Sequence, residues 1–79
     1  MDKALIKEKL NDCFKRAQYA DVIPVFIAWT DIFGATSIRT AYFDEYAEAR
    51  IWYNDMFAKY RNHEHYFNFD GETHSTIKN

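Results

Sequence analysis

The chain has 79 residues, a formal net charge of -2, 48% hydrophobic and 19% aromatic residues, and only two glycines and one proline. That length holds one domain and no more, and a core so small is marginal unless large side chains fill it. With little Gly and Pro and a single Cys, the composition excludes a disordered chain, a collagen-like repeat and a disulfide scaffold.

Residues 3–18 read as an amphipathic helix, with Ile6, Leu10, Cys13, Phe14 and Ala17 on one stripe. Asp2 suits its N-cap, because a carboxylate accepts an orphan backbone N–H. Lys15 and Arg16 suit the negative end of the helix dipole. Residues 22–30, VIPVFIAWT, are rich in β-branched and aromatic side chains. Both alternating sets are apolar, the mark of a central strand. Pro24 lacks an N–H and belongs near the strand start. Asp31-Ile32-Phe33-Gly34 carries a turn, and residues 36–43 return as the second strand of a hairpin.

Asp44 then suits the N-cap of a helix over about residues 45–61. Tyr46, Ala49, Tyr53, Met56, Phe57 and Tyr60 form its broad apolar stripe; Ala47, Ile51 and Ala58 form a narrower one. Residues 64–69 alternate as a third strand, and Asp70-Gly71 is a hairpin-turn signal. Beyond it a short polar fourth strand near residues 72–77 or a tail can follow; only Ile77 is large and apolar, so residues 72–79 are expected as a polar tail. The expectation is one α+β domain over residues 1–71, in the order α-β-β-α-β. Its three-stranded antiparallel or mixed sheet has the order 2-1-3, with both helices on one face. The other face, including Phe26, is then open for binding or self-association.

The N-terminus, MDKALIKEKLNDCFKR, is charged throughout and has no signal-peptide core. The longest apolar run, Val22 to Trp29, falls short of the roughly 18 residues that span a bilayer. Cys13 has no second cysteine to pair with, which favours a reducing compartment. A cytoplasmic protein without membrane contact is expected. Residues 1–17 hold five bases against three acids, and the remainder five against nine. Neither part has the strongly basic face usual in nucleic-acid binders.

Little here carries chemistry. Cys13 lies on an apolar helix stripe, where a small buried hydrophobe is the simpler reading. His63 and His65 share a strand face and His74 follows, but the spacing matches no standard zinc motif. Pairs such as Asp44/Glu48 and Glu48/Asp55 lie on a solvated helix face, without the cleft that acid–base catalysis needs. With Gly34 and Gly71 alone there is no phosphate-binding loop. The chain is therefore expected to be no enzyme and to hold no cofactor. Aromatics on an open sheet stack bases in RNA-binding domains, and Tyr42, Tyr66, Phe67 and Arg39 are the candidates for that alternative. The aromatic surplus favours a protein interface instead. The expected contact residues are Tyr42, Tyr46, Arg50, Trp52, Tyr53 and Tyr66. A homodimer that buries its aromatic face is a further alternative.

The stretch AWTDIFGATSIRTAYFDEYAEARIWYNDMF combines a hairpin, the pair Phe43-Asp44, then a helix with Glu48-Ala49 followed by Trp52 or Tyr53. In size and element order it resembles small phage-encoded host-takeover inhibitors of the anti-CRISPR type. The resemblance covers about half the chain and carries over no site residues. It implies a non-enzymatic protein in the cytoplasm of a host bacterium. Such a protein blocks a host protein or nucleoprotein complex, such as a defence complex, by stoichiometric binding.

Overall fold

The first strand dictates the architecture, because an apolar strand exposes two faces that water must be kept from. A computed structural model describes residues 3–18 and 21–76. The proposed Asp2 cap and Ile77 lie outside the described residues. Two helices and four strands follow in order: α1 (Lys3–Ala17), β1 (Ile23–Thr30), β2 (Thr36–Phe43), α2 (Tyr46–Lys59), β3 (His65–Phe69) and β4 (Glu72–Ser75). The strands form one antiparallel sheet in the order β2-β1-β3-β4.

Strand β1 is central, as its double apolarity implied. Side chains alternate across a strand, so its odd and even residues serve different layers. Phe26 and Ala28 pack with Ile6 and Leu10 of α1 and with Tyr66 of β3. Val25 packs on the opposite face with Ala49 of α2 and Phe69 of β3, joined by Trp52, Tyr53 and Phe43. The two helices therefore lie on opposite faces of the sheet. This corrects the expectation of both helices on one face, and with it the open aromatic face. A strand apolar on both sides needs two covers, and the chain supplies one from each helix. The other side of α2, with Ile51 61% exposed, accordingly meets solvent.

Residues 72–75 are also corrected, from tail to strand. Asp70 and Gly71 both take positive φ (53° and 83°), as a two-residue type I′ hairpin requires. The turn sends the chain back along β3, with Phe67 opposite His74 and Asn68 opposite Thr73. Asn68, wholly buried, donates from Nδ2 to Thr73 Oγ1 at 3.1 Å. Thr76 then closes the ladder: its N–H donates to the His65 carbonyl and its Oγ1 accepts from His65 N–H, each at 2.9 Å. These polar partners, not apolar bulk, hold β4 in place. The N-cap of α2 is Glu45 rather than Asp44, and its side chain makes no capping bond.

Pro24 occupies the second position of β1, opposite Tyr42. Pairing with β3 begins only at Val25, so no β3 residue faces the missing N–H.

Candidate functional site

The six expected contact residues separate into four places. Tyr66 is 6% exposed beneath α1, and its hydroxyl donates to Glu64 Oε1 at 2.6 Å. Burial and the Glu64 carboxylate push its pKa up to about 12. It is a core residue, so no docking surface of this fold includes it. Trp52 is half-buried against Phe43, with ring centroids 5.6 Å apart. Tyr42 is 61% exposed on β2. Only Tyr46, Arg50 and Tyr53 come together, around Phe69. Tyr46 meets that ring edge-on at 5.4 Å, Tyr53 lies 5.1 Å from it, and the Arg50 guanidinium sits 5.7 Å over it. Tyr53 also meets Phe57 and Phe67, and burial raises its pKa. Part of the aromatic content is thus a ring-on-ring seam between α2 and the sheet.

The nucleic-acid candidates do not assemble either. Phe67 and Tyr66 are buried on opposite faces of β3, and each sheet face carries a helix. Tyr42 and Arg39 point to opposite sides of β2, since they differ by an odd number of positions.

The most exposed apolar side chains stand where the sequence marked only a turn. Ile32 is 93% exposed and Phe33 is 88% exposed, at the tip of the β1–β2 hairpin. The turn beneath them is well tied. Asp31 Oδ1 accepts from Phe33 N–H at 2.9 Å and from Ala35 N–H at 3.0 Å. Gly34 N–H donates to the Asp31 carbonyl at 3.0 Å, and Asp31 N–H donates to that of Ala35 at 2.9 Å. Gly34 supplies the positive φ, 82°, that closes the loop. An Asp side chain bonded to the backbone two and four residues on holds the turn in one shape. The tip therefore presents two hydrophobes on a preorganised platform. Burying an Ile or Phe is worth about 1.5–3 kcal/mol each, stabilisation the isolated chain forgoes.

Two cavities flank the C-terminal end of α2. One, of about 790 Å³, lies along its C-terminal half between Phe57, Arg61 and Thr76. The other, of about 430 Å³, is lined by Trp29, Arg39 and Tyr60 beside an aromatic stack. In that stack the His65 ring lies 4.4 Å from Tyr60 and 5.7 Å from Trp29, nearly parallel to both. Burial lowers the His65 pKa, and its Nδ1 has no hydrogen-bond partner. His74 instead turns toward Glu72, at 3.4 Å. Among the described residues no group of three or more His, Cys, Asp or Glu side chains is placed to hold a metal ion. No helix among them is long and apolar enough to cross a membrane. Cys13 is half-buried on the apolar stripe of α1, with Arg16 Nη2 3.8 Å from its sulfur.

Compared with protein-family models, curated proteins and solved structures, the chain gave no match.

Proposed function

We propose that this chain is a small non-enzymatic module that acts by stoichiometric binding to another protein, docking through Ile32 and Phe33. The observation that carries the reading is the exposure of both side chains on a hydrogen-bonded turn. Hydrophobes held rigid in the free state lose little conformational entropy when a partner covers them. The partner chemistry that fits is an apolar pocket with a donor-rich rim, because the carboxylate of Asp31 sits at the base of the tip. No Lys or Arg lies between Arg16 and Arg39, so the tip lacks the basic flank that would draw it to an anionic membrane. The finer reading, inhibition of a bacterial defence complex in a host cytoplasm, is supported by the resemblance to phage-encoded inhibitors.

The test is a paired capture from bacterial lysate with the wild-type chain and the Phe33→Ser variant. The wild type should retain one protein at near-equal molar yield, and the variant should lose it. Truncating an anchor of this kind costs about 2 kcal/mol or more, a roughly 30-fold weaker Kd. Equal capture by both chains removes the tip from the interface. Failure of the captured protein to belong to a defence complex removes the finer reading alone.

A further inference from the structure

The sheet ends in two unlike edges. Strand β4 is four residues long and carries Glu72 and His74. Strand β2 is eight residues long, has no proline, and has Arg39 as its one charge. Natural sheets blunt such edges with short strands, prolines, bulges or charges, and β2 uses almost none of these. Helix α1 packs over β1 and β3, leaving the neighbouring strip of β2 uncovered. There Ile38 is 39% exposed and Tyr42 61% exposed. Between β2 and α1 a shallow cavity of about 310 Å³ is lined by Cys13, Arg16, Phe26 and Tyr42.

We propose that β2 pairs antiparallel with β2 of a second copy of this chain, joining two sheets into one across a two-fold axis at Thr40. The backbone phase permits it. The Asp31–Ala35 bond makes that pair hydrogen-bonded, so by alternation Ser37, Arg39 and Ala41 turn their polar groups toward β1. Ile38, Thr40 and Tyr42 turn theirs outward. A two-fold axis perpendicular to the sheet sets residues of the same face opposite one another and lies midway between one residue and its own mate. With the axis at Thr40, Ile38 of each copy lies opposite Tyr42 of the other, and Thr40 lies opposite its mate. All of these positions have outward-facing backbone groups. The two exposed apolar side chains of the strand thus cover each other, an aromatic–β-branched pair of the kind that stabilises sheets.

Charge selects this register. An axis at Arg39 would set two guanidinium groups face to face. An axis at Ala41 would place Ile38 opposite the Asp44 carboxylate. An axis at Ile38 would throw Tyr42 against the turn at Gly34. With Thr40 central, Arg39 falls opposite Ala41 and no like charges meet directly. A foreign strand would need to match the Ile38 and Tyr42 positions by its own sequence, whereas a second copy matches them by symmetry.

The experiment is light scattering from micromolar to millimolar concentration, paired with cysteine cross-linking. The wild type should double from its monomer mass of 9.5 kDa. Thr40→Lys, which puts two ammonium groups on the axis, should return it to the monomer mass while circular dichroism stays unchanged. In a Cys13→Ser background, Thr40→Cys should form an interchain disulfide on mild oxidation. Hydrogen-bonded antiparallel pairs hold their Cα atoms about 5.5 Å apart, within disulfide range. Thr36→Cys, whose mates lie at opposite ends of the seam, should not. The Ile32→Ser/Phe33→Ser double variant should still dimerise. A wild type that stays monomeric throughout overturns the proposal. So does a dimer that cross-links equally well at Thr36, or one that is lost with Ile32 and Phe33.

Discussion

His65 has two liabilities at one position: a half-buried ring stacked on Tyr60 and a buried Nδ1 without a partner. An imidazole whose pKa falls in the fold takes up its proton more readily when unfolded. Its contribution to stability is therefore complete above about pH 6.5, the unfolded value, and is lost as pH drops through the lower folded value. His65→Phe keeps a ring between Trp29 and Tyr60 but cannot titrate. The wild-type melting temperature should fall more steeply than that of the variant between neutral pH and about pH 5. Parallel slopes would count against it. Gly71 gives a second prediction. It holds φ at +83°, and a Cβ there would lie 3.2 Å from Phe14 Cε2. Gly71→Ala should lower stability by about 1–2 kcal/mol from the left-handed backbone alone, read by denaturant titration. The Asp70-Gly71 turn was legible from sequence because its chemistry is local. The burial of Tyr66 was not, because it depends on which helix reaches that face of β3.

Among the elements, β4 shows most clearly where pattern reading stops. Glu72 to Ser75 has no apolar alternation, and its place rests on the Asn68–Thr73 bond and the Thr76 clamp on His65. Hydrophobic periodicity cannot see such bonds. Truncation after Gly71 should therefore leave buried Asn68 with only its long 3.5 Å bond to Asn11 Oδ1 and the outer side of β3 bare, and the shortened chain should lose its cooperative thermal transition. A transition within a few degrees of the full chain would restore the view of these residues as dispensable. Helix α1 is the opposite case. Its stripe was plain from spacing, and Leu10 is fully buried. Leu10→Ala should cost about 2–5 kcal/mol in urea unfolding, through lost burial and the cavity left behind.

For the whole molecule, the decisive feature is the first strand. VIPVFIAWT is apolar on both faces, which named β1 as central. The same fact required a cover on each face, and two helices were at hand to supply them. The separation of α1 from α2 turns the sheet into a filled interior layer. Contacts with other molecules then fall to its perimeter: the hairpin tip, the β2 edge and the outer sides of the helices. A tip variant should accordingly abolish partner binding while leaving the melting temperature within a degree or so, since Ile32 and Phe33 touch no core residue. A large drop in melting temperature would show that the tip is structural. The layering also sets an order of events during synthesis. Ile6 and Leu10 rest on Tyr66, which follows them only after the β1–β2 hairpin and α2. A ribosome has to release the chain through β3 before α1 finds its whole seat, since Phe26 and Ala28 supply only part of it. Until then that greasy stripe is exposed, available to chaperones and to neighbouring nascent chains. A nascent chain stalled after Lys59 should remain protease-sensitive through residues 3–17, even though the β1–β2 hairpin is already complete in sequence.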